Sequence, residues 1–172
     1  MKQVVALLNR WFKRFTGNLS NDIEVLPISL DTIDTATMTV YDYVRETQII
    51  KDDHILTNID GLLRSIVISG GFVGLAYLHG VNVGIICAQL AIPEIWDTRR
   101  TGNVSYIYVK PEFRTNPNIL MSLINSVVVF FVSHSVEIIR VSCDSKELSE
   151  KYIKMFGFKE VYCQTILEVK ES

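Results

Sequence analysis

Three cysteines, three histidines and a few local clusters of charge are the residues here whose types suit catalysis or metal binding. Cys87, Cys143 and Cys163 are too widely separated for the close pairs of a zinc or redox site, and their odd number gives no disulfide framework. They read as reduced, buried thiols, and Cys143 has no histidine or basic neighbour in sequence to activate it. Asp52, Asp53 and His54 are consecutive, and consecutive side chains cannot converge on one ion without distant ligands, so no metal is expected. His79 falls at a turn and His134 at a helix end, where a cation suits the dipole, and both read as structural. Trp96, Arg99 and Arg100 read as an ordinary exposed loop. The segment from Val109 to Ile119 remains. It closes an apolar strand and opens an apolar helix, and a helix start after a strand offers free N–H groups and a dipole to an anion.

The elements that position this segment follow from hydrophobic period and turn chemistry. Ile23 to Ile28 alternates as a strand, and Ser29 to Asp31 offers cap chemistry for a helix carrying Ile33, Met38, Tyr41 and Val44. Asn58 to Ser69 has the spacing of a second helix, although Ile66, Val67 and Ile68 also suit a strand. Residues 72–78 and 81–91 form a hairpin reversing at His79-Gly80. Pro93 to Asn103 reads as a polar loop, Val104 to Val109 as a strand, Asn118 to Ser133 as an apolar helix and Glu137 to Cys143 as a strand. Ser145 to Phe156 reads as a helix stopped by Gly157, and Lys159 to Val169 as a last strand. The fold class is α/β (α+β): a mixed sheet flanked by helices, with a parallel, right-handed crossover between the strands near 104–109 and 137–143.

Composition bounds the rest. The 172 residues include 17 Lys and Arg against 19 Asp and Glu, a net charge of -2, with 48% hydrophobic residues. Near-neutral charge argues against direct nucleic-acid binding, and no apolar run is long enough to span a bilayer. With no signal-peptide core, a cytoplasmic location is expected. Residues 1–22 read as a basic amphipathic helix and linker: Val4, Leu7, Leu8, Trp11, Phe12 and Phe15 share one face, Lys2, Arg10, Lys13 and Arg14 lie on the rest, and Gly17 ends it. Its wide apolar face predicts protein contact through Trp11, Phe12 and Phe15, with a partner, a second copy or the chain's own domain.

Val109-Lys110-Pro111-Glu112-Phe113-Arg114 resembles the V-x-P-x-x-R/Q segment that ends the fourth strand of the GNAT family of acetyl-CoA-dependent N-acyltransferases. Met155-Phe156-Gly157-Phe158-Lys159-Glu160-Val161 looks like that family's last helix and its entry into the final strand. The order of elements over residues 23–172 fits as well. The resemblance implies a centrally splayed sheet and direct transfer of an acetyl group from acetyl-CoA to an amine of a small molecule or protein. It places the pantetheine arm along Ile107, Tyr108 and Val109, with a fourth-strand N–H on the carbonyl oxygen, and the pyrophosphate on Arg114, Thr115, Asn116, Asn118 and Ile119. For proton transfer it nominates Tyr152 and Asp144, although the family's tyrosine position is held by Ile153, one residue and about 100° of helix away from Tyr152.

The sequence departs from the family where the phosphate loop, R/Q-x-x-G-x-G/A, should follow. Pro117 stands at the first glycine and removes a donor, and Ile119 stands at the second. Two functions are therefore carried forward. One is a GNAT-type acyltransferase with a variant loop. The other is a GNAT-like fold without catalysis, serving as a binding or structural subunit of a larger assembly, such as the virion of a tailed phage, since degenerate domains of this kind occur among phage proteins.

Overall fold

A computed structural model describes residues 22–47, 54–91, 99–142 and 150. The chain divides into two compact units, Met1–Ser142 and Cys143–Ser172, and the sheet with its helices belongs to the first. The N-terminal helix with Trp11, Phe12 and Phe15, the final helix and strand, and both Asp144 and Tyr152 lie outside the described residues.

Strand β1 (Ile23–Pro27) leads through a 3-10 turn at Leu30–Thr32 into helix α1 (Ile33–Thr47). Ser29 N–H donates to Thr32 Oγ1 at 3.1 Å, so Ser29, within the Ser29–Asp31 stretch expected to cap the helix, is tied to its entry by a threonine beyond that stretch. Helix α2 (Ile55–Ile68) buries Ile59, Leu63 and Ile66. That spacing is helical, and it settles the ambiguity of this segment: the β-branched run near its end is its last turn. The helix starts three residues before Asn58, on His54.

Strands β2 (Phe72–Leu78) and β3 (Val81–Leu90) form the expected hairpin. His79 and Gly80 both take positive φ, 50° and 79°, the backbone that a two-residue reversal needs to match strand twist. Strand β4 (Thr101–Val109) begins three residues earlier than the sequence suggests. Gly102 is the reason: it pairs with Leu90, and a Cβ there would stand 2.4–2.6 Å from the ring of Phe131, so glycine lets the ring lie on the strand. After a 3-10 turn at Pro111–Phe113, helix α3 (Pro117–Ser133) crosses back to β5 (Ile138–Val141).

The sheet order is β1-β2-β3-β4-β5, antiparallel except for the parallel pair β4–β5. Helix α3 covers one face, with Ile119, Leu123, Ile124, Val127 and Phe131 buried. Helices α1 and α2 cover the other, where Ile33, Ala36, Val40, Leu63 and Ile66 cluster with Val73, Leu75, Ile85 and Cys87 of the strands. Met38, expected on the apolar face of α1, is 52% exposed, because it lies well round the helix from Ile33, Ala36 and Val40.

Candidate functional site

The site is organised by a bulge in β4 and by what pairs with its two edges. Against β3 the register steps from Ala88↔Val104 to Cys87↔Tyr106, so Ser105 is an extra residue, a β-bulge. Without it Val104 and Tyr106 would share a face. With it, Val104 lies opposite Ala88 while Tyr106 and Tyr108 join the α1 side of the core. A bulge also bends and twists its strand. Among the described residues the β4–β5 pairing runs from Thr101↔Ile138 to Val104↔Val141, with Ser142 N–H donating to Val104 O at 3.3 Å, and β4 continues for five more residues.

Lys110 N–H donates to Val83 O at 3.0 Å. Backbone groups alternate sides along a strand, so Tyr108 and Tyr106 turn theirs toward β3 and Ile107 and Val109 turn theirs to the opposite edge. There, among the described residues, no strand pairs with β4 beyond Val104. Of the residues expected to bind a pantetheine arm, Ile107 thus turns its N–H and carbonyl to that edge and Val109 its N–H, the Val109 carbonyl being taken by Arg114 Nε. Tyr108 instead sends its side chain into the α1 face and is 4% exposed.

Tyr108 belongs to a polar cluster that sequence reasoning missed. Its hydroxyl donates to Glu46 Oε2 at 3.1 Å, and Arg114 grips the same carboxylate with both terminal nitrogens, at 2.7 and 2.8 Å. Arg114 Nε donates to Val109 O at 2.9 Å, and the guanidinium lies 5.6 Å from the centre of the Tyr108 ring. Tyr43 meets Tyr106 and Tyr108 edge-on at 5.0 and 5.2 Å. One turn back on α1, Asp42 pairs with Lys110 at 3.8 Å. A signal for this cluster was present: Asp42 and Glu46 are four apart on a helix, a repulsive pair unless cations stand opposite, and Lys110 and Arg114 are also four apart.

The electrostatics are those of a closed clasp. The Arg114 guanidinium, opposed in part by burial and aided by Tyr108, holds the Glu46 carboxyl below the usual carboxylate range. Glu46 in turn raises Arg114 further above its ordinary value. Burial, and then the bond to Glu46, pushes the Tyr108 phenol up to about 12. A paired carboxylate and a phenol of that value are poorly matched to proton transfer near neutrality.

The segment expected to cradle phosphates is occupied by its own bonds. Arg114 N–H donates to Pro111 O at 3.3 Å, Asn116 N–H to Phe113 O at 3.0 Å and Ile119 N–H to Asn116 O at 3.3 Å. Asn116 caps α3, its Oδ1 accepting from Asn118 N–H at 3.1 Å, and Pro117 fills the first helical position. Thr115 N–H is the donor of this segment left without a bond among the described residues. The Ile119 side chain is fully buried under the sheet, so what it turns toward the loop is backbone alone.

On the α1–α2 face an apolar cavity of about 120 Å³ opens beside the bulge, lined by Val40, Leu62, Leu63, Ile66, Cys87, Ser105 and Tyr106 among others. The Cys87 thiol is pushed up to about 12 by burial, as an inert core thiol should be. His134 ends α3 as expected, its Nδ1 2.9 Å from Phe130 O. Among the described residues no group of His, Cys, Asp and Glu has the arrangement of a metal site, and no helix is long and apolar enough to cross a membrane.

No family model matches the chain, and no curated protein matches it. Solved structures do match in fold. A predicted acetyltransferase from Clostridium acetobutylicum, solved with acetyl-CoA, superposes with a TM-score of 0.70 at 15% identity, over 85% of this chain and 96% of its own. The ribosomal-protein-alanine N-acetyltransferase of Brucella melitensis gives 0.68 at 15% identity, over 86% and 99%. An aminoglycoside acetyltransferase from an uncultured soil metagenomic sample, in complex with trehalose, gives 0.68 at 12% identity, over 89% and 100%. The chain has the fold of the GNAT-type acetyltransferases. Within this GNAT-like fold the bulged β4 leads through the turn at Pro111–Phe113 to the start of α3.

Proposed function

We propose that this protein transfers an acyl group from a pantetheine thioester, with acetyl-CoA as the donor to test first, to an amine of a small molecule or protein. The observation that carries this reading is the edge of β4 beyond Val104, with which no strand among the described residues pairs. An amide-bearing arm can add to such an edge as a further strand, since Ile107 turns its N–H and carbonyl outward and Val109 its N–H. Ile107 N–H would donate to the thioester carbonyl oxygen, where negative charge develops as the amine attacks. Proton transfer falls to Asp144 and Tyr152 in this proposal, because Glu46 and Tyr108 are committed to each other and to Arg114. An apolar group on the acceptor would occupy the cavity beside Ser105 and Tyr106, whose volume approaches that of cavities able to hold benzene.

One observation favours a second reading, a GNAT-like subunit without catalysis: the donors of the 114–119 segment are spent within the protein. Calorimetry with acetyl-CoA, followed by thiol release on adding a panel of amines, tests both. Saturable heat and amine-dependent release are expected. Absence of heat at millimolar donor would leave the non-catalytic subunit as the function.

A further inference from the structure

A dianionic diphosphate needs free N–H donors and surplus positive charge, and the start of α3 supplies little of either. Four of the backbone N–H groups at 114–119 already donate within the protein and Pro117 has none, which leaves Thr115. The charge balance runs the same way. Lys110 and Arg114 are the cations flanking the segment, and they are paired with Asp42 and Glu46, while Glu112 adds a third carboxylate near Arg114. Anion sites at helix starts depend on both features, and the dipole alone is worth a fraction of a bidentate arginine contact. The strand edge a few residues earlier keeps more of its groups, since among the described residues no strand pairs there with Ile107 and the Val109 carbonyl alone is taken, by Arg114 Nε.

We infer that the donor is recognised through its pantetheine arm and thioester alone, with the diphosphate and nucleotide of coenzyme A adding little to affinity. This rests on the acyl-transfer reading and narrows it: the ligand class is a pantetheine thioester, whatever that thioester is attached to.

The test compares acetyl-CoA with S-acetylpantetheine, which keeps the thioester and arm but lacks every phosphate, by calorimetry on the full chain at low and high salt. The two dissociation constants are expected to agree within about tenfold, and acetyl-CoA binding to change little with salt, because few counter-ions are released when no phosphate is gripped. Acetyl-CoA binding more than about a hundredfold tighter, with the advantage lost in high salt, would overturn the inference while leaving acyl transfer in place. If neither compound binds, the acyl-transfer reading falls and takes this one with it. Glu46→Gln adds an independent arm by loosening Arg114. A gain in affinity confined to acetyl-CoA supports the inference, since it shows a cation withheld in the natural chain, and an equal change for both compounds counts against it.

Discussion

Helix α3 closes one face of the sheet with Leu123 and Phe131 laid over Gly84 and Gly102, whereas the face under α1 carries, beyond its apolar core, three tyrosines and two acid–base pairs at the C-terminal end of β4. The first face works by shape. A Cβ on Gly84 would stand 2.5 Å from Tyr108 O, and one on Gly102 would enter the Phe131 ring. The polar end of the second face, beyond the apolar core under α1 and α2, works by charge and hydrogen bonding, and it is half open to water: the Arg114 and Glu46 side chains keep 47% and 33% of their exposure. Change under α3 should therefore cost folding, and change in the half-open polar cluster should cost far less. The start of α3 belongs by construction to the first kind. Asn116 as cap, Pro117 at the first position and Ile119 in the core make a sound helix start from a place where ligand-binding loops keep donors free.

The sharpest way to break this contrast is Phe131→Ala. The ring is fully buried, and its removal should cost about 3–5 kcal/mol, read as a lower denaturant midpoint at unchanged slope. A loss below about 1 kcal/mol would mean that the α3 face is loosely packed and that the contrast fails. Gly102→Ala should follow at about 1–3 kcal/mol, since the added methyl must displace either the ring or the strand. A neutral result would show that the start of β4 yields easily.

The charged face answers with smaller numbers. Glu46→Gln should cost about 1 kcal/mol or less at neutral pH, because the pair is partly solvated. Its sign with pH is fixed: the folded-state value of Glu46 is lowered, so its contribution is present above the ordinary value of 4.5 and is lost as pH falls through the folded value. The stability gap between the natural chain and the variant should therefore close in acid. A gap that persists unchanged below that range would show that Glu46 acts by packing rather than by charge.

How much of this was legible depends on range along the chain. Strands β2 and β3 and their turn were readable because His79-Gly80 and the alternation around it are local signals. The parallel pairing of β4 with β5 followed from the strand–helix–strand order, a topological rule that needs no contact to be known. Local pattern could not show that Thr101 to Asn103 would join β4, because what admits them is Phe131 on a helix some thirty residues later, resting on Gly102. The phosphate segment was located by the V-x-P-x-x-R/Q resemblance, and its lost donor was visible as Pro117. The further loss, through Asn116 capping Asn118, is a side-chain choice made in three dimensions. The Glu46–Arg114–Tyr108 clasp joins residues 62 and 68 positions apart, and only the doubled four-residue spacing of its charges hinted at it.

The finest probe of the clasp is the phenol within it. Tyr108 is one of seven tyrosines, so its signal is a small fraction of the total, yet its value of about 12 sets it apart from an ordinary phenol at 10. Spectrophotometric titration should show Tyr108 ionising late, and Tyr108→Phe should remove its step. Because the folded-state value is raised, the group's contribution is complete below pH 10 and is lost as pH rises from 10 to about 12, so the variant and the natural chain should converge in stability over that window. Glu46→Gln should bring the late step earlier without abolishing it, since burial is the larger cause and the bond to Glu46 the next. If the late step is unchanged in Glu46→Gln, Tyr108 is shielded by the sheet alone. The clasp would then reduce to the Arg114–Glu46 pair, and the two faces of the sheet would differ less than their residues suggest.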